Sequence, residues 1–292
     1  MKKHLINAAI VVLLFAITAA GLIFAIMIRE GDWGIPKGFG ILFTFLFLFG
    51  ITGFGLSKFE SRIRFAGVLI PIGLVILILT LPKAYFSTIK YSMKIAPYYL
   101  AIIFGVISGY YFFIKDHHKF KVPIILGILP VLMTFGTYDL WVHKIEYGNW
   151  TGEVTAQQVA PFELINKAGE VVNNESLKGK VTLFDFWFIG CGPCWVKFPE
   201  LQRIYEKYQS NSLVEIYAVN RPMKSDKPDA LFTRIEDKGY SFPVLAGTQE
   251  IMDTLDVYKY PSVMIINQNG DLVFMGELED AEKKLESMID DF

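Results

Sequence analysis

The sequence predicts an α-helical membrane domain of several spans followed by an α/β domain. Three observations predict it. The 292-residue chain is strongly apolar and poor in acids up to about Trp141, then charged and mixed beyond about Thr151. Its first part carries apolar runs long enough to cross a bilayer core of ~30 Å. Its second part alternates β-branched runs with segments whose apolar residues recur at helical spacing. The resulting division is a membrane domain over 1–142, a juxtamembrane linker over 143–154 and an α/β domain over 155–292. A net charge of −1 hides this division. It gives no sign of nucleic-acid binding. No internal repeat or low-complexity segment is evident.

The first expected span, 5–28, contains no charged residue. It is too long for a signal-peptide core, and no small-residue cleavage site stands out. Further spans are expected at 38–56, 65–81, 95–114 and 122–142. The last is the weakest, because Pro130 and Asp139 interrupt it. Five spans are expected, or four if the last does not cross. Lys2 and Lys3, then Lys58, Arg62 and Arg64, then Lys115, Lys119 and Lys121 form three basic clusters on one side. Placing these clusters inside puts the N-terminus in the cytoplasm. Arg29, Lys37, Lys83, Lys90 and Lys94 lie on the other side, so the bias is small. Five spans put the α/β domain outside the cytoplasm, and four put it inside. Trp141, Tyr147 and Trp150 suit a membrane interface and equally suit packing on the α/β domain.

In the α/β domain, 161–165 and 170–172 read as a hairpin around Asn166-Lys167-Ala168-Gly169. Residues 174–179 read as a short helical turn ending in Gly179. The β-branched and aromatic run 181–188 reads as a buried strand. Ile189 and Gly190 turn the chain, and the segment from Pro193 to Tyr208 reads as a helix. A strand at 213–220, a helix at 228–238 stopped by Gly239 and a helical turn at 249–255 follow. Strands at 262–267 and 271–275 form an antiparallel hairpin through Gln268-Asn269-Gly270. A helix at 279–289 closes the domain.

The only two cysteines form Cys191-Gly192-Pro193-Cys194 where the buried strand hands over to a helix. In a Cys-X-X-Cys pair one thiolate attacks a disulfide and the other resolves the mixed disulfide. A helix N-terminus favours the thiolate. The competing readings are a zinc site and an inert structural disulfide. Zinc needs about four ligands, and His4, His117, His118 and His143 all lie far away in the N-terminal half. A disulfide closing so short a loop is a poor staple and a good reactive site.

The second half resembles the TlpA/ResA-like membrane-anchored thioredoxins. The resemblance rests on five stretches in order. They are Ala160-Pro161-Phe162-Glu163-Leu164, Leu177-Lys178-Gly179-Lys180-Val181, Phe186-Trp187 before Cys-Gly-Pro-Cys, Phe198-Pro199-Glu200-Leu201, and Tyr260-Pro261-Ser262 with Asn269-Gly270-Asp271. It covers about 155–292 and leaves the membrane half unassigned. It implies a thioredoxin fold with a redox disulfide between Cys191 and Cys194, Cys191 attacking and Cys194 resolving. Asp185 matches the buried acid that exchanges a proton with Cys194. Its other reading is an exposed strand residue, since alternation sets it opposite Phe184 and Phe186. Pro261 matches the cis-proline facing the dithiol, its other reading being a trans turn proline. Trp187, Gly192, Pro193 and Tyr260 are implied at the substrate face, although Trp187 reads equally as a core residue.

Two positions depart from the pattern. Gly190 stands where thioredoxins usually carry Trp, which should open the surface beside the site. Lys197 stands where relatives usually carry Glu. It reads as a cation favouring the thiolate or, more simply, as a solvated helix residue.

The implied activity is a thiol–disulfide oxidoreductase of the bacterial cytoplasmic membrane. It would reduce disulfides of extracytoplasmic proteins, as in cytochrome c maturation, without a cofactor or metal. The spans hold no cysteine to relay electrons, so a separate membrane donor of the DsbD/CcdA kind is implied. The alternatives are an oxidase or isomerase, or a membrane carrier or quinone-interacting module with the thioredoxin domain as redox sensor.

Overall fold

The computed structural model describes residues 2–30, 35–86, 89–114, 120–224, 226–227 and 230–290. The chain forms two compact units, Met1–Ile145 and Glu146–Phe292.

The first unit is helical: α1 (Lys2–Glu30), α2 (Gly38–Phe86), α3 (Ile89–Ile114) and α4 (Lys121–Leu132). A π-helical turn, Met133–Thr137, joins α4 to α5 (Tyr138–Tyr147). Four stretches are long and apolar enough to cross a membrane: Lys2–Glu30, Gly38–Leu81, Ile89–Ile114 and Lys121–Tyr147. The second holds 44 residues. A straight helix of that length would reach about 66 Å, twice a bilayer core. It is not straight. Arg64 at φ 62°, ψ 165° breaks it, and the two legs double back on each other. A Cβ added to Gly55 would stand 2.9 Å from Val68 Cγ1, and Leu48, Leu56, Val68 and Ile72 share one buried cluster. The break falls in the basic stretch expected between two spans. The last stretch bends at Phe135 and Gly136 (φ 93°) rather than at Pro130.

Close helix packing comes from glycine. Cβ atoms on Gly105 and Gly109 of α3 would stand 2.7 Å and 2.6 Å from the carbonyl oxygens of Phe45 and Phe49 on α2. Only a residue without a side chain lets the two backbones approach so closely. Large apolar side chains point outward all round, among them Leu13, Phe24, Phe54, Leu77, Ile103 and Ile124. Lys115, His117, His118 and Lys119 lie outside the described residues.

The second unit is built on one eight-stranded sheet. Its strands are β1 (Glu153–Gln158), β2 (Glu163–Asn166), β3 (Val171–Asn173), β4 (Val181–Trp187), β5 (Val214–Asn220), β6 (Val244–Ala246), β7 (Ser262–Ile266) and β8 (Asp271–Gly276). Their order is β1-β8-β7-β4-β5-β6-β2-β3. β4, β5 and β6 run parallel, and β7 and β8 are antiparallel to their neighbours. The helices are α6 (Gly192–Tyr208), α7 (Ala230–Asp237), α8 (Gln249–Thr254) and α9 (Leu278–Asp290). Strand–helix–strand followed by hairpin and helix is the thioredoxin arrangement. Val181, Leu183 and Trp187 of β4 join the core that holds α6, α7 and α9. Phe184 and Phe186 join the other face with Met252 of α8. β4 is therefore buried along its whole length, which explains its unbroken apolar run.

Three features differ from the sequence reading. The stretch expected as a juxtamembrane linker, 143–154, includes the end of α5, which runs to Tyr147, and the start of β1 at Glu153. Residues 174–179 form turns rather than a helical turn. β1 and β6 escape notice because β1 is a polar edge strand, Glu-Val-Thr-Ala-Gln-Gln, and β6 has three residues. The helix at 228–238 is described from Ala230; Pro228 and Asp229 lie outside the described residues.

Candidate active site

The loop leaving β4 delivers the two cysteines to the start of α6. Cys191 and Cys194 are joined in a disulfide, with Cα atoms 5.3 Å apart. Cys191 is the N-cap of α6, with extended backbone. Its Sγ accepts a hydrogen bond from the Cys194 N–H at 3.2 Å. That N–H is one of the orphan donors of a helix start, and it stabilises negative charge on Cys191 sulfur. Both sulfurs are enclosed: Cys191 is 3% exposed and Cys194 0%. Burial therefore barely separates the two cysteines, whereas position on the helix does. Gly192 and Pro193 between them are exposed.

Asp185 is 1% exposed. It lies between Leu183 and Trp187 on β4, whose side chains belong to the core containing both cysteines. Alternation turns the carboxyl toward that face, which α6, α7 and α9 cover. Neither carboxyl oxygen has a hydrogen-bond partner. Burial pushes its pKa up to about 8; nearby Glu277 adds to the rise, and Lys197 opposes it. Desolvation disfavours the charged form of a carboxyl left without donors.

The Tyr260–Pro261 peptide is cis. Ser262 pairs with Phe186 across β7 and β4, so Pro261 stands beside the end of β4 that leads to the dithiol. Trp187 is 0% exposed. It packs edge-on against Trp195 and Phe198 of α6. Gly190 is exposed, and a Cβ there would meet the Phe188 ring at 3.5 Å. Phe188 thus covers part of the surface that Gly190 leaves open. Lys197 forms ion pairs with Glu279 of α9 and, at 4.0 Å, with Glu200. It is not a free solvated lysine, and its charge acts on Asp185.

Residues 155–275 match the AhpC/TSA family. The thiol-disulfide oxidoreductase ResA of Bacillus subtilis is 31% identical over 156 residues, which is 53% of this chain and 84% of that protein. The chain belongs to the TlpA/ResA-like thioredoxin-fold family. It is a thiol–disulfide oxidoreductase. A second TlpA/ResA-like relative, the thioredoxin-like protein YneN of Bacillus subtilis, is 26% identical over 56% of this chain and 95% of its own length. Among solved structures, the thioredoxin domain of a thiol-disulfide oxidoreductase from Bacteroides vulgatus matches with TM-score 0.41 and 20% identity, covering 46% of this chain and 97% of that one.

Sequence reasoning passed over three residues at this end of the TlpA/ResA-like domain. Phe188 packs edge-on against Tyr260. Asn220 is fully buried with its side-chain amide unpartnered. Arg221 stacks on Tyr260. Asn220 ends the parallel strand β5 and Arg221 follows it, at the C-terminal edge where open α/β sheets bind ligands. That position was the available signal.

Proposed function

We propose that this oxidoreductase is tethered in the bacterial cytoplasmic membrane and reduces disulfides of extracytoplasmic proteins through Cys191 and Cys194. One observation carries the reading: the disulfide caps a helix start on the sheet face where Asp185 lies buried and unpartnered. In the reduced enzyme the Cys191 thiolate attacks one sulfur of the target disulfide. The target S–S bond breaks, a mixed disulfide forms and one target thiolate leaves, taking a proton from solvent. Asp185 as carboxylate accepts the Cys194 proton. The Cys194 thiolate then attacks Cys191 sulfur and expels the second target thiolate, which is protonated in turn. The target gains two electrons and two protons, and the enzyme ends as the disulfide seen here. Pro261 and Tyr260, with Gly192 and Pro193 around the sulfurs, form the face that receives the target, while the expected substrate contact Trp187 lies beneath it as a core residue.

Membrane tethering is supported by helices too apolar on their outer faces for water. Treating the two legs of α2 separately gives five crossings. Arg62 Nε donates to Asn7 Oδ1 at 3.2 Å, so the basic bend of α2 and the basic start of α1 share one end. Tyr98, whose hydroxyl donates to the Lys37 carbonyl at 2.6 Å, marks the other end. Basic residues at the first end put it in the cytoplasm, and five crossings put Cys191 outside. A separate membrane donor of the DsbD/CcdA kind would restore the dithiol.

The test is reduction of insulin by the full chain in detergent, with dithiothreitol as reductant. Wild type should accelerate it and Cys191→Ser should not. Equal rates for both proteins would sink the reading, as would no acceleration by wild type.

A further inference from the structure

Tyr260 carries two neighbours from outside the Cys-Gly-Pro-Cys motif. Phe188 meets its ring edge-on with centroids 5.5 Å apart, and the Arg221 guanidinium carbon lies 5.6 Å from its centroid. The backbone ties these residues to the dithiol. Arg221 N–H donates to the Trp187 carbonyl at 2.8 Å, and Cys191 N–H donates to the Phe188 carbonyl at 3.0 Å. Arg221, Phe188 and Cys191 are therefore held at successive points where β4 ends, with Tyr260 and Pro261 beside them.

Among the described residues no carboxylate neutralises the Arg221 charge, which engages the Tyr260 side chain instead. Lys259 nearby is spent on Glu146 at 2.7 Å and Glu277 at 2.5 Å. Arg221 forms no ion pair with any described residue, and its Nε is buried without a hydrogen-bond partner. Asp253 is the carboxylate felt at the Tyr260 phenol alongside Arg221; it accepts from Gln249 instead, at 2.7 Å. Its side chain hydrogen-bonds Tyr260, and the unpartnered Nε edge of the planar guanidinium presents donors in a geometry that matches a carboxylate. Phe188 and Tyr260 supply an apolar wall beside it.

We propose that Arg221 is a specificity-determining residue that receives an Asp or Glu side chain flanking the disulfide of the target peptide. This rests on the reading of Cys191 as the attacking sulfur beside Pro261. A target strand lying along Tyr260 would bring its flanking side chain onto the guanidinium. A part-exposed, charge-assisted pair of this kind is worth a factor of up to about five in rate constant.

The experiment uses the full chain in detergent, pre-reduced, and two synthetic disulfide peptides. In one, aspartates flank the cysteines; in the other, lysines do. Second-order rate constants for enzyme oxidation are divided by those for the same peptides with dithiothreitol, which removes their intrinsic reactivity. Wild type should favour the acidic peptide about fivefold. Arg221→Gln should lose the preference, and Arg221→Lys should keep part of it. In wild type, 1 M salt should shrink the preference, because the screening length falls to about 3 Å. Equal normalised rates in wild type, or a preference that survives Arg221→Gln, would overturn the proposal alone. Failure of both peptides to react would overturn it together with the assignment of Cys191.

Discussion

Replacing Asp185 by Asn removes a titration without removing bulk. The carboxyl is buried without a donor, and its pKa rises from 3.8 to about 8. Below about pH 4 it is protonated in both folded and unfolded chains. Between about pH 4 and 8 the folded protein keeps a proton that the unfolded chain has released. Each rise in pH across that window therefore favours unfolding. Four units of difference amount to on the order of 5 kcal/mol lost by pH 8. The Asn variant has no such slope, though an unpartnered amide costs about 1–3 kcal/mol at every pH. The oxidised variant should therefore be the more stable protein at pH 9 and no better than wild type at pH 4. Thermal unfolding of the oxidised full chain, followed by tryptophan fluorescence to which Trp187 and Trp195 contribute, measures this. At about 2–4 °C per kcal/mol, the gap between the two melting temperatures should change by roughly 10–20 °C between pH 4 and 9. A gap that stays constant with pH would refute a buried, proton-holding Asp185. The same variant should lengthen the lifetime of the mixed disulfide near neutral pH, since an amide cannot take the Cys194 proton.

Three further outcomes follow from the geometry. In the reduced enzyme Cys191 should alkylate with a pKa below the free value of ~8.5 and Cys194 should react more slowly; a midpoint at or above that value would remove the N-cap argument. Gly109→Leu should drive a side chain into the Phe49 carbonyl, 2.6 Å from the Cβ position. It should cost at least about 2 kcal/mol, read as a lower melting temperature of the helical unit in detergent, and an unchanged one would contradict the packing. Alkaline phosphatase fused after Trp150 should be active, because that enzyme works only when exported. An inactive fusion there, with an active one after Lys119, would reverse the orientation.

Much of this was legible in the sequence, for physical reasons that differ between the two halves. β4 and α6 announced themselves because both faces of β4 are covered and α6 buries one stripe. The dithiol was legible because two cysteines at one strand–helix junction leave few other chemistries. The hairpin within α2 was legible as two apolar runs around Lys58, Arg62 and Arg64, although helical hydrogen bonding almost conceals the break. What escaped depends on tertiary neighbours. β1 is polar and owes its existence to pairing with β8. Alternation could not bury Asp185, because the helices that cover its face, α6, α7 and α9, are placed there by the fold. Lys197 acts through Glu279, 82 positions away, a pairing no local pattern encodes. Arg221 and Phe188 acquire meaning only through Tyr260, which lies far along the chain from both.

The central claim is that Cys191 attacks disulfides of proteins outside the cytoplasm. It is tested most directly by trapping in intact cells with the full-length Cys194→Ala protein, which can form the mixed disulfide and cannot resolve it. Acid quenching and identification of the attached protein should yield extracytoplasmic partners bound through Cys191, released by dithiothreitol and absent from the Cys191→Ala, Cys194→Ala double variant. Adducts only with cytoplasmic proteins, or none above the double variant, would contradict the account.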